Sequence, residues 1–156
     1  MGHKTKKISR KQVNDFFKNK KIAIAGVSRN PKKFGHRTFK ELSEKGYTIL
    51  PINPEADAID NVKCYKRVED LPGDIESLLI LTPKEKTDEI LRSAIKKGIK
   101  NIWVQQMSNT DETLKIAEEY QKEIITGKCI YMFTEPVAGV HRFHRTLVKI
   151  FGGLPK

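Results

Sequence analysis

The chain has 156 residues, 38% hydrophobic and 31% charged, with a formal net charge of +11. That length suits one domain able to bury about 68–70% of its unfolded surface, so no metal or disulfide staple is needed, and the composition excludes a disordered chain. No apolar run approaches the ~18 residues of a membrane span, the N-terminus MGHKTKKISRK lacks the apolar core of a secretory signal, and two cysteines, Cys64 and Cys129, make no disulfide framework; a reduced, cytoplasmic protein is expected.

The first segment in chain order is basic. Residues 1–21 hold eight Lys/Arg and one acid, Asp15, so +7 of the charge lies there and +4 on the other 135 residues. Residues 1–20 read as a basic N-terminal arm and residues 21–152 as the domain proper. Within the arm, Ser9-Arg10-Lys11-Gln12 has the form of a capping box, and Val13, Phe16 and Phe17 make an apolar stripe. The spacing predicts a short helix over 10–18 packed on the body, its aromatic pair also suited to a subunit or partner contact.

Ile22–Ala25 is a short buried-strand run ending at Gly26. Phe39 and Leu42 mark a helix that Gly46 closes. Tyr47–Ile52 is the second strand, although Pro51 cannot donate to a sheet ladder. Residues 61–74 offer only Tyr65, Val68 and Leu71 as anchors, enough for one or two helical turns. Ile75–Leu81 is a third strand, apolar on both faces. Thr82-Pro83-Lys84-Glu85 has the form of a helix start, with Thr82 as cap, and Ile90, Leu91, Ala94 and Ile95 carry that helix to Gly98.

Ile102–Gln105 is the fourth strand. Leu114, Ala117, Tyr120 and Ile124 predict a helix capped near Ser108 or Asn109 and closed by Gly127. Cys129–Phe133 is read as a fifth strand, and Val140, His144, Leu147 and Phe151 as one face of a last helix. This alternation predicts an α/β fold: a doubly wound, mainly parallel five-stranded sheet, Rossmann-like, in the order 3-2-1-4-5, with an extra N-terminal helix.

In such a sheet a ligand binds beyond the carboxyl ends of the strands. That selects Gly26 to Gly35, Asn53-Pro54, Leu81-Thr82-Pro83 and Gln105-Gln106. The stretch from Gly26 to Gly35 is a long polar turn into a helix, whose N–H groups suit phosphate and whose Arg29, Lys32 and Lys33 add positive charge. It is not GxGxxG, and the second strand ends in Asn53-Pro54 where a NAD site places an acid. Both departures point to another phosphate-bearing nucleotide.

The stretch IAIAGVSRNPKKFGHRTFKELSEKGYTILPINP at 22–54, with LTP at 81–83, IWVQ at 102–105 and KCIYMF at 128–133, resembles the coenzyme A-binding domain family, small Rossmann-like proteins similar to the N-terminal domain of succinyl-CoA synthetase alpha subunit. The specific part is strand, G-x-S-x-x-P, glycine and helix, then a strand ending P-x-N-P, a pattern that accommodates Pro51. The resemblance implies binding of coenzyme A or an acyl-CoA. It assigns the phosphates to Gly26, Val27, Ser28, Arg29 and Lys33, places Asn53 and Pro54 beside the nucleotide, and lets Leu81, Thr82 and Pro83 flank the adenine or pantetheine arm. Gln105 is expected toward the thiol end.

No nucleophile–base pair can be assigned, so binding without catalysis is expected, the chain serving as carrier, sensor or regulator. Cys129 reads as a buried structural thiol, with a mixed disulfide to coenzyme A as the functional alternative, and Cys64 as inert. His141 and His144 share a helix face without a third metal ligand, so no metal site is expected. His36, beside the phosphate turn, is the better functional histidine. Two other classes compete: a small NAD(P)-binding oxidoreductase-like protein, and nucleic-acid binding through the basic arm and the last helix. A homodimer or another protein partner fits the aromatic arm.

Overall fold

The computed structural model describes residues 7–134. Four parallel strands make the central sheet: β1 (Lys21–Ala25), β2 (Thr48–Ile52), β5 (Ser77–Ile80) and β6 (Asn101–Val104). Between β2 and β5 the chain makes a two-stranded hairpin, β3 (Ala58–Ile59) and β4 (Val62–Lys63), and a 3-10 turn at Val68–Asp70. The helices are α1 (Arg10–Phe17), α2 (Phe34–Glu44), α3 (Lys84–Lys97) and α4 (Asp111–Glu119). No helix among the described residues is long and apolar enough to cross a membrane.

Alternation along each strand splits the core in two. Ile22, Ile24, Ile49, Leu79 and Trp103 join Val13 and Phe16 of α1 and Phe39 and Leu42 of α2 on one face. Ala23, Ala25, Leu50, Ile52, Leu78, Ile80, Ile102 and Val104 join Leu91 and Ala94 of α3 and Ile116 of α4 on the other. Helices therefore cover both faces of a parallel sheet, the α/β Rossmann-like architecture expected from the alternation.

The capping box of α1 forms in both directions: Gln12 N–H donates to Ser9 Oγ (3.1 Å) and Ser9 N–H to Gln12 Oε1 (2.8 Å). Phe16 is 1% exposed, with its ring 5.3 Å from that of Trp103, while Phe17 is half-buried against Trp103 and Tyr47. The aromatic pair of the arm thus packs on its own body. Ser77 Oγ, donating to Phe16 O at 2.8 Å, ties the end of α1 to β5.

The strand order differs from 3-2-1-4-5. It is β2-β1-β5-β6, so the third long strand, expected over 75–81, lies against the first and not outside the second. The physical reason is burial. Every residue of β5 is buried, which suits an interior lane, whereas Pro51 needs an edge. Pro51 sits in β2 with its carbonyl accepting from Tyr65 N–H (2.9 Å) on the outer side, where its missing N–H costs no ladder bond.

The fifth strand is also corrected. Cys129–Phe133 is no strand: Ile130–Met132 form a 3-10 turn whose side chains enter the first core. The lane beside β6 is taken by a single parallel bridge from Ile125 to Trp103. Accordingly α4 stops at Glu119, with Gln121 at φ +52, and Ile124 is outside it. Its cap is Thr110, beyond the expected Ser108 or Asn109, and α3 is capped at Pro83, one residue after Thr82. The expected last helix, with His141 and His144, lies outside the described residues.

Candidate functional site

All the expected site residues lie at the carboxyl ends of the four strands. The observed order sharpens this arrangement. The chain leaves β1 toward β2 on one side and returns as β5 on the other, so the switch point falls between β1 and β5. Gly26 and Leu81-Thr82 therefore meet directly. Leu81 N–H donates to Ala25 O (2.8 Å), and a Cβ on Gly26 would stand 2.8 Å from the Leu81 carbonyl carbon. Gly26 has φ +96, a left-handed conformation that glycine adopts without penalty. Gly35, in the first turn of α2, comes closer still: a Cβ there would lie 2.1 Å from Gly26 O.

The turn between these glycines is built from its own side chains. Ser28 Oγ accepts from Asn30 N–H (3.0 Å), and Asn30 Oδ1 accepts from Lys32 N–H (2.9 Å). Its carbonyls are held by residues from elsewhere. Asn53, just past β2, donates through Nδ2 to Val27 O (2.9 Å). His36 Nδ1 lies 2.8 Å from Ser28 O. In a trans peptide the N–H points opposite to the C=O. Anchoring these two carbonyls therefore aims the N–H groups of Ser28 and Arg29 away from Asn53 and His36. The start of α2, which the turn leads into, has no side-chain cap hydrogen bond, so no side chain takes up its first N–H groups. Arg29, Lys32 and Lys33 stand exposed around it. Oriented N–H groups, a helix N-terminus and three cations therefore stand together at this edge.

The flanking residues are placed as follows. Pro54 and Pro83 are exposed, and Leu81 is half-buried. Thr82 is 6% exposed, with its hydroxyl 3.0 Å from that of Thr87. Gln105 follows β6 directly, with its Oε1 accepting from Ile130 N–H (3.0 Å), so its side chain holds the 3-10 turn. That turn supports α2: Tyr131 places its hydroxyl 3.0 Å from Thr38 Oγ1 and its ring against Phe34. Burial pushes the Tyr131 phenol up to about 12, so it stays protonated and can donate. Both cysteines are buried, and burial pushes the Cys64 thiol up. No group of three metal-ligating side chains occurs among the described residues.

A cavity of about 250 Å³ lies elsewhere, at the amino end of β6, lined by residues that include Ser9, Asp15, Lys100, Asn101 and Ile125. It touches none of the turn residues.

The composition of the site escaped sequence reasoning at two residues. Asn30 holds the turn through its side chain, and Asp60 reaches it from the hairpin. Asp60-Asn61 form the two-residue turn of the β3–β4 hairpin, both at positive φ (+48 and +65), and Asp60 Oδ2 lies 3.1 Å from His36 Nε2. The alternating Ala58 to Lys63 stretch around an Asp-Asn pair was the available signal.

The fold is that of a Rossmann-like α/β protein, with a basic turn at the switch point of its sheet. Within that class, the family model described as "CoA binding domain" matches residues 20–135, and the chain belongs to that family. It is 30% identical over 126 residues to the alpha subunit of acetate–CoA ligase (ADP-forming) II of Pyrococcus furiosus, covering 74% of this chain and 28% of that subunit. A solved hypothetical protein of Pyrococcus horikoshii superposes with a TM-score of 0.75 at 29% identity, covering 89% of this chain and 99% of that one. A second, from P. furiosus, gives 0.68 at 34% identity, covering 70% and 95%. The chain therefore spans little more than a quarter of the ligase subunit but nearly the whole of these small proteins.

Proposed function

We propose that this chain binds coenzyme A or an acyl-CoA through the turn from Gly26 to Gly35, as a carrier, sensor or regulator without catalysis of its own. The observation that carries the reading is the pair of inward-anchored carbonyls, Val27 O on Asn53 and Ser28 O on His36. They turn the backbone N–H groups of Ser28 and Arg29 outward, ahead of an uncapped helix start, where an incoming phosphate can accept from them. Arg29 and Lys33 supply charge for the pyrophosphate and the 3′-phosphate. Asn53 and Pro54 lie beside the nucleotide, Leu81, Thr82 and Pro83 flank the arm, and the end of β6 at Gln105 lies toward the thiol. The ligase relative acts on coenzyme A, as its name states, which supports the ligand but not the ligase reaction. An oxidoreductase-like reading is less favoured: Asn53 stands where NAD requires an acid, and its amide is committed to Val27. The buried thiols supply no exposed nucleophile and suit a reducing, cytoplasmic setting.

Calorimetric titration with coenzyme A, its dephospho form and NAD tests the reading. Coenzyme A is expected to bind tightest, and Arg29→Ala and Lys33→Ala to narrow its advantage over the dephospho form. Losing one charge-assisted hydrogen bond is worth roughly 1.5–3 kcal/mol, less at an exposed side chain. Equal affinity for NAD, or no binding of coenzyme A, overturns it.

A further inference from the structure

The β3–β4 hairpin adds no strand to the sheet, yet it reaches the ligand turn. Two consecutive non-glycine residues at positive φ form its tip, a conformation tolerated by Asp and Asn. That tip places Asp60 Oδ2 3.1 Å from His36 Nε2, while His36 Nδ1 is 2.8 Å from Ser28 O. The imidazole is 6% exposed and lies edge-on to Phe39. The other charged groups of the surrounding elements are engaged elsewhere or exposed. Asp57 pairs with Lys66 (2.8 Å), Lys63 lies over the Tyr65 ring (5.2 Å), and Arg29, Lys32, Lys33 and Arg37 are exposed.

Both ring nitrogens of His36 thus face oxygen atoms that only accept. A neutral imidazole donates through one nitrogen and turns a lone pair on its other partner; the imidazolium donates through both. Two effects oppose the charge: the ring is buried, which disfavours an imidazolium, and the helix acts on it as well. His36 lies in the first turn of α2, where the helix dipole disfavours a cation. A phosphate arriving at the same N-terminus offsets that opposition.

We propose that His36 and Asp60 are positioning residues for the ligand turn: the protonated ring clamps the Ser28–Arg29 peptide between hairpin and helix, and binding of a phosphate-bearing ligand draws a proton onto His36. By linkage, the proton favours the ligand by the same factor that the ligand favours the proton. The ligand is the coenzyme A of the preceding reading, on which this inference rests.

The test uses dephospho-coenzyme A, whose pyrophosphate carries no proton that titrates near neutrality. Binding is followed by calorimetry in buffers of different ionisation enthalpy, from about pH 5.5 to about 8.5. The wild-type protein is expected to take up a fraction of a proton and to bind about three- to tenfold more weakly at the alkaline end. Asp60→Asn can donate its amide to the neutral ring, so it should bind with a flat pH profile and no proton uptake. His36→Gln should also lose the uptake. The same uptake and profile in all three proteins overturns the proposal.

If the wild type binds neither coenzyme A nor the dephospho form at any pH, the ligand reading fails and the clamp is judged in the free protein. There the Arg29 amide resonance should titrate together with the His36 ring nitrogens in the wild type, and not in Asp60→Asn. An Arg29 amide indifferent to the ring overturns the clamp.

Discussion

Two glycines decide whether the turn from Gly26 to Gly35 can close. Gly26 needs its left-handed φ and its contact with Leu81-Thr82, and Gly35 lets the start of α2 press on Gly26 O. A methyl at Gly35 has no room without backbone movement, because the opposing atom is a carbonyl oxygen. Gly35→Ala should lower stability by roughly 1–3 kcal/mol, the scale of an overpacked site, and weaken coenzyme A binding with it. Urea unfolding and a ligand titration on the same variant check this; unchanged stability would mean that the close approach is not maintained. These glycines were legible as the ends of a turn, since G-x-S-x-x-P followed by glycine is a local spacing. Their collisions were not, because Gly26 meets Leu81 only through a pairing between strands over fifty residues apart. Asn53 shows the same divide. Its departure from an acid was readable, but its hydrogen bond to Val27 O follows from the β1–β2 register.

Among the elements of the described residues, α1 is the one outside the matched family region, and it still belongs to the core. Phe16 is 1% exposed against Trp103. Phe16→Ala is expected to cost about 3–5 kcal/mol, as for other buried aromatics, while leaving the affinity for coenzyme A unchanged, since the hydrogen bonds that hold α1 run to Ser77 and Asn101 at the amino ends of β5 and β6. Thermal unfolding and calorimetry on the variant separate the two effects, and a large affinity loss would bring the basic arm into the site. The capping box, the stripe of Val13 and Phe16, and Gly98 at φ +88 closing α3 were all legible because they are local. The lane of each strand was harder. Pro51 and the uninterrupted Leu78-Leu79-Ile80 run together argue for an edge β2 and an interior β5, but the familiar order of dinucleotide-binding sheets overrode them. The run from Cys129 to Phe133 is apolar at every position, so periodicity could not separate a strand from a 3-10 turn.

At the scale of the molecule, exposed carboxylates are tied to the surplus of lysine. Hydrogen bonds from Lys66, Lys21 and Lys100 hold Asp57, Asp74 and Glu76 below the usual carboxylate range. A depressed folded value contributes stability above the ordinary carboxylate pKa of about 4, and that contribution is lost as the pH falls through the depressed value. The urea midpoint should therefore drop between about pH 5 and about pH 3, and Lys100→Ala should reduce the drop. Solvent screens these pairs, so each effect is small. The same surplus of cations surrounds the open edge of the sheet, where the account places its ligand. A ¹H–¹⁵N correlation spectrum recorded during titration with coenzyme A tests that placement most directly. The account predicts shifts concentrated at Ser28, Arg29, the first turn of α2 and Leu81-Thr82, with residues around Ser9, Lys100 and Asn101 at the other end of the sheet unmoved; shifts confined to that other end, or none at saturating ligand, would contradict it.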